Sequence, residues 1–226
     1  MAGSIGHTLM DMYHSMFGYF GPQKWWPGES GLEIMVGAVL TQNTNWKNVE
    51  KAISNLKQRD MLSIRGLQSL SLEALAEAIR PSGYYNVKAK RLKNLIAFLS
   101  KRYHGDLSRF LQEGTDVLKK GLLSVKGIGL ETADSILLYA AQRPVFVIDA
   151  YTFRILRRHS MIADQATYHE LQALFEEHLP ADTTLFNEFH ALIVMTGKAF
   201  CRPKPPCRKC PLREWETIDL GPDQSV

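Results

Sequence analysis

The sequence predicts an all-α protein of two domains. Apolar residues recur at helical spacing through nearly the whole chain, and the breaks between these stretches are short and rich in glycine and proline. No alternating run is long enough to build a sheet. The 226 residues, 45% hydrophobic and 22% charged, suffice for one large or two small domains with a real core.

In chain order, the periodic stretches are 32–40, 49–56, 72–79, 89–99, 132–140, 152–156, 168–178 and 186–200. Pro81-Ser82-Gly83, His104-Gly105-Asp106, Gly127-Ile128-Gly129, Arg143-Pro144 and Leu179-Pro180 punctuate them. Residues 145–148 have a brief β-like composition, too short and isolated to count as a sheet element. The polar tail beyond Trp215, with Gly221-Pro222, is expected to fray.

The net charge of +4 allows nucleic-acid binding without demanding it. Basic residues gather at Lys88, Lys90, Arg91 and Lys93, at Arg154, Arg157 and Arg158, and from Arg202 to Arg213; each group also reads as a solvated helix face. No apolar run approaches the roughly 20 residues of a membrane span, and the N-terminus has no secretory pattern, so a cytoplasmic protein is the expectation. Cys201, Cys207 and Cys210 all fall within ten residues; an odd count in that setting points away from disulfides and toward a metal.

At Val125-Lys126-Gly127-Ile128-Gly129, two glycines flank one apolar residue between helical stretches. Glycine tolerates positive φ and lets a phosphate approach the backbone. A helix opening near Glu131 or Thr132 presents N–H groups and a positive dipole end to an anion, while Ile128 would plug the hairpin into the core. Lys126, Gly127, Gly129 and Thr132 are therefore candidate phosphate contacts, and an ordinary glycine turn is the competing reading. Asp149 stands eighteen residues after Glu131, between 145–148 and the helix opening at Tyr151, where it also suits an N-cap.

VKGIGLETADSILLYA followed by VFVIDAYTFRIL resembles the helix-hairpin-helix, glycine/proline-rich-loop and aspartate (HhH-GPD) signature of the endonuclease III superfamily of DNA glycosylases. LTQNTNWKNVEKA is similar to the early helix carrying the glutamine wedge, and FHALIVMTGKAFC with the cysteines is similar to the closing helix and iron-sulfur loop. The resemblance implies a helical barrel at 33–143 carrying the hairpin, a second domain of 1–32 with 144–226, and a DNA cleft between them with Asp149 at the junction. The expected partner is double-stranded DNA containing a damaged base, with no membrane and the protein a monomer.

By the same resemblance, Asp149 acts at the sugar of an extruded nucleotide, where positive charge develops as the base departs. Bifunctional members carry a lysine two residues after the second hairpin glycine, whose amine forms a Schiff base. Here that residue is Glu131, either a pocket carboxylate or a first-turn residue favoured by the helix dipole. The implication is a monofunctional enzyme that uses water. The competing expectations are a glycosylase/lyase acting on oxidised pyrimidines and a non-catalytic binder of damaged DNA.

Trp25-Trp26-Pro27, Gln42 ahead of Trp46, and RPSGYYNVKAKRL resemble the 3-methyladenine DNA glycosylase branch. Flipped bases are held between aromatic planes, and a cationic alkylated purine gains roughly 0.5–2 kcal/mol over an indole. Gln42 would fill the gap left by the flipped base, or else be an exposed helix residue; Trp25 and Trp26 also read as packing residues. Tyr84 and Tyr85 are expected at the DNA face or as caps of the preceding turn. Cys201-x5-Cys207-x2-Cys210 resembles the loop of a 4Fe-4S cluster, with Trp215 or Glu216 where the fourth cysteine would stand. A cluster with a non-cysteine fourth ligand, a zinc site and a loop that binds nothing all remain open. The branch members most like the N-terminal half lack these cysteines, which leaves oxidised pyrimidines open as substrates.

Overall fold

The computed structural model describes residues 5–202 and 204–215. Among them every regular element is a helix. Helix α1 is Ile5–Phe20; then come α2 (Gly31–Leu40), α3 (Trp46–Gln58), α4 (Ile64–Ser69), α5 (Leu72–Ala78) and α6 (Tyr85–Tyr103). Helices α7 (Leu107–Leu111), α8 (Thr115–Leu123) and α9 (Leu130–Ser135) follow, and α9 runs on into a π-helical turn, Ile136–Ala140. The chain closes with α10 (Ala150–Arg158), α11 (Tyr168–Glu176) and α12 (Thr183–Ala199). None of the described helices is long and apolar enough to cross a membrane. The tail after Trp215, Glu216 included, lies outside the described residues.

Side-chain caps start most of these helices. Ser30, Asn45, Ser63, Ser71, Asp106, Asp149, Thr167 and Asp182 each accept a first-turn backbone N–H, which satisfies donors the helix leaves open.

The chain forms two compact units: Met1–Trp25 with Pro144–Val226, and Trp26–Arg143. The break on the N-terminal side thus follows Trp25, ahead of the expected position 33. In the Trp26–Arg143 unit, α2 is apolar nearly all round and buries Leu32, Met35, Val36, Val39 and Leu40, as a central helix must. Helices α3, α6 and α9 and the π-turn pack on it.

Helix α6 corrects the reading of its basic run. Lys88 is 1% exposed, and its Nζ donates to Leu40 O at 2.8 Å and Ser82 O at 2.7 Å, closing the end of α2 and the 80–83 turn. Lys93 donates to Leu67 O and Gln68 O, each at 2.9 Å, and to Leu70 O, capping α4. These lysines are spent on orphan carbonyls rather than presented as a solvated or phosphate-binding face.

In the other unit, α1 and α10 both pack on α12. Phe146 stacks on Phe175 (centroids 3.8 Å apart, 6° between planes) and meets Phe186 edge-on at 5.3 Å. Residues 145–148 are buried yet form no strand. The Phe146 backbone is satisfied by α11 side chains: its N–H donates to Glu176 Oε1 at 2.8 Å, and Gln172 Nε2 donates to its O at 2.7 Å. Gly197 on α12 permits the approach of α10, since a Cβ there would lie 2.3 Å from Tyr151 Cδ1.

Candidate active site

The hairpin belongs to the Trp26–Arg143 unit. Gly127 has φ +99°, and a Cβ there would run into Arg91 Cγ, so glycine is required both for conformation and for space. Around Gly129, by contrast, a Cβ would meet nothing within 4 Å, so the backbone there faces open space. Ile128 is buried, as expected of the plug, and Lys126 is exposed. Asn94 Nδ2 donates to Lys126 O at 2.9 Å and so moors the hairpin to α6. Helix α9 opens at Leu130, with Glu131 exposed in its first turn.

Gln42 is neither exposed nor helical. It sits half-buried in the turn after α2, where its Nε2 donates to Thr132 Oγ1 at 2.8 Å and Gly127 O at 3.3 Å, and its Oε1 accepts from Arg91. The expected wedge and the expected phosphate grip are therefore one hydrogen-bonded assembly. The Thr132 hydroxyl is engaged there, and the residue is buried.

Trp26 and Trp46 come together in the same unit, ring centroids 4.9 Å apart and edge-on at 76°. Tyr139, from the π-turn, lies 4.8 Å from Trp26 at 32°. Gly37 on α2 leaves room for the pair, since a Cβ there would lie 3.3 Å from Trp26 Nε1. Trp46 Nε1 donates to Glu50 Oε1 at 2.9 Å, and Pro27 is exposed. Tyr139 and Gly37 escape sequence reasoning because both sit in ordinary apolar helical stretches. Tyr84 is 72% exposed with left-handed backbone (φ 46°), conformational strain of the kind that clusters at functional surfaces. A buried carboxylate in this unit, Asp134, pairs with Lys119 at 2.9 Å and is structural.

Asp149 belongs to the other unit. It caps α10 with one oxygen: Oδ1 accepts from Thr152 N–H at 2.7 Å and from Thr152 Oγ1 at 2.8 Å. Its second oxygen, Oδ2, lies 3.7 Å from Nε2 of His190 on α12. Burial pushes the His190 imidazole down, against the pull of the Asp149 charge and with help from Lys198. Burial also lowers Lys198, with Asp149 opposing. The Lys198 ammonium stands 5.7 Å over the Trp25 ring, so that indole already faces a cation. The pattern that could have revealed His190 and Lys198 is their helical placement in FHALIVMTGK, which also reads as plain core packing.

The cysteine loop does not fit a metal as arranged. Cys201 is buried and accepts from Arg158 at 3.2 Å, Cys210 is buried and accepts from Leu212 N–H at 3.4 Å, and Cys207 is exposed. Among the described residues, no group of three or more Cys, His, Asp or Glu side chains is gathered to hold an ion. Arg158 also donates to Arg202 O at 2.8 Å, so this buried arginine fastens the loop. Burial pushes the Cys210 thiol up, with Cys201 and Cys207 adding to the rise.

A helical unit with a glycine hairpin and a second unit in which an aspartate caps α10 define a class. Residues 36–181 match the HhH-GPD superfamily of base excision DNA repair proteins, and the chain belongs to that superfamily as a DNA N-glycosylase. It is 47% identical over 209 residues to a Methanocaldococcus jannaschii chain provisionally named a DNA repair glycosylase, covering 92% of this chain and 94% of the relative. It is 28% identical to endonuclease III of Thermotoga maritima over 80% of this chain and 79% of that one. Among solved structures, it is 33% identical to the 3-methyladenine DNA glycosylase of H. pylori bound to 1,N6-ethenoadenine, with a TM-score of 0.74 over 86% of this chain and 97% of the other. A non-covalent endonuclease III–DNA complex shares the fold at 21% identity, with a TM-score of 0.79 over 93% and 94% of the two chains.

Proposed function

We propose that this chain is a monofunctional glycosylase, acting as a monomer, that hydrolyses the N-glycosidic bond of an alkylated purine in double-stranded DNA. The observation that carries the reading is the divided use of the Asp149 carboxylate: Oδ1 holds the helix cap, and Oδ2 is not part of it. A carboxylate held in this way supplies fixed negative charge to a sugar that becomes cationic as its base leaves, or accepts a proton from the attacking water. Glu131 supports hydrolysis over lyase chemistry, because a carboxylate cannot form an imine.

Trp26, Trp46 and Tyr139 supply apolar surface suited to a flipped base. The alkylated-purine assignment draws on the likeness to the H. pylori enzyme. Lys126 and the Gly127–Gly129 backbone supply phosphate contacts, and Tyr84 a contact at the DNA face. No step is routed through the cysteines; iron content and visible absorbance of anaerobically purified protein measure whether they take up a cluster.

The test is base release from a panel of damaged duplexes, with borohydride trapping in parallel. Release of alkylated purines with no covalent adduct is expected. Activity confined to oxidised pyrimidines, or a trapped adduct, overturns the reading, and binding without release assigns the chain to damage recognition alone.

A further inference from the structure

Asp149 Oδ1 is fixed by two donors from one residue, the N–H and hydroxyl of Thr152. Both bonds end on the same oxygen, so they leave the carboxylate a swing about that anchor. The swing carries Oδ2, the oxygen that the cap does not use. On the Oδ2 side stands His190, whose Nε2 lies 3.7 Å away. The histidine is 5% exposed and comes from α12, the helix on which α10 packs. Because Gly197 lets α10 close down on α12, the imidazole and the carboxylate meet across a tightly packed helix pair.

We propose that His190 is a positioning residue for Asp149, directing Oδ2 from α12 while Thr152 holds Oδ1 from α10. This rests on the reading that Asp149 meets the sugar. A slight turn of the carboxylate closes the 3.7 Å gap to hydrogen-bond range if the imidazole carries its proton on Nε2. The burial that pushes His190 down favours the neutral ring. A neutral donor orients the carboxylate without neutralising it, whereas an imidazolium would form an ion pair and blunt the negative charge the reaction needs. Two charged neighbours act on His190 in opposite directions, Asp149 favouring the cation and Lys198 opposing it.

The test is single-turnover base release and DNA affinity for His190→Leu, His190→Gln and Asp149→Asn in the full chain. A glutamine places an amide N–H near the position of Nε2; a leucine keeps bulk and removes the donor. Leucine is expected to slow the chemical step by ~10–100-fold with DNA affinity unchanged, as displacement of a reacting group does, and glutamine to restore most of the rate. If His190→Leu does not fold, His190→Asn, whose amide falls short of the gap, takes its place. Wild-type rate in the leucine variant with an inactive Asp149→Asn overturns the positioning role and leaves the reading of Asp149 standing. Equal impairment of leucine and glutamine variants, or parallel loss of affinity and thermal stability, also overturns it. Wild-type release by Asp149→Asn defeats the underlying reading instead.

Discussion

Gly127 meets two constraints at once: a left-handed backbone at φ +99° and an Arg91 side chain lying where its Cβ would go. Alanine there is expected to cost roughly 1–3 kcal/mol, measured by denaturant unfolding, and to weaken binding to undamaged duplex. Unchanged stability would mean that the hairpin is free to adopt another turn. A tight turn was legible in the sequence from G-x-G between helical stretches, though not which of the two glycines the turn requires. The partner that occupies the space was not, because Arg91 lies thirty-six positions away and reads as one cation in a run. Gln42 teaches the same lesson. The resemblance of its segment to a family helix implied a wedge, but only the folded chain brings its amide onto Thr132 and Gly127 O.

At the scale of elements, the contact of α10 with α12 sets where Asp149 stands. Gly197 makes that approach possible, and Gly197→Ala would drive a methyl group into Tyr151. Overpacking of this kind is expected to destabilise by about 1–3 kcal/mol and to slow base release more than it weakens DNA binding. Melting curves and single-turnover rates check both parts; a stable, fully active Gly197→Ala would show that α10 tolerates displacement. The start of α10 was readable, because an aspartate ahead of a periodic stretch is an N-cap by its chemistry. The closeness of α12 was not, since a mid-helix glycine carries no label for what it lets in. The π-turn at Ile136–Ala140 is a similar case, extending an expected helix in a way that sets Tyr139 beside Trp26.

Across the whole molecule, two buried basic groups of opposite sequence promise shape the pH response. His190 is held below the ordinary imidazole value of 6.5, so as pH falls through that value the unfolded chain gains a proton that the fold resists, and stability drops. Lys88 is pushed down to about 8 from 10.5 by burial and by Arg91, so between those values the unfolded chain again holds the extra proton, and stability rises with pH. Its two carbonyl partners are as many as a neutral amine can serve. A tenfold difference in proton affinity between the folded and unfolded chain is worth roughly 1.4 kcal/mol. Unfolding free energy is therefore expected to fall below pH 6.5 and to climb above pH 8; the climb shrinks in Lys88→Met, leaving the smaller share of Lys198, which burial also lowers. A wild-type curve that is flat above pH 8 would contradict the assignment of Lys88. The sequence by itself determined the helical class, the glycine hairpin and the aspartate at a helix start, because each is written in the spacing of near neighbours. Only the tertiary structure decided which polar groups are already spent: Lys88, Lys93 and Arg158 on carbonyls, Gln42 on the hairpin, His190 beside Asp149. The physical reason is that a side chain's hydrogen-bond partners lie far off in sequence, where residue type states a capacity and packing alone chooses its use.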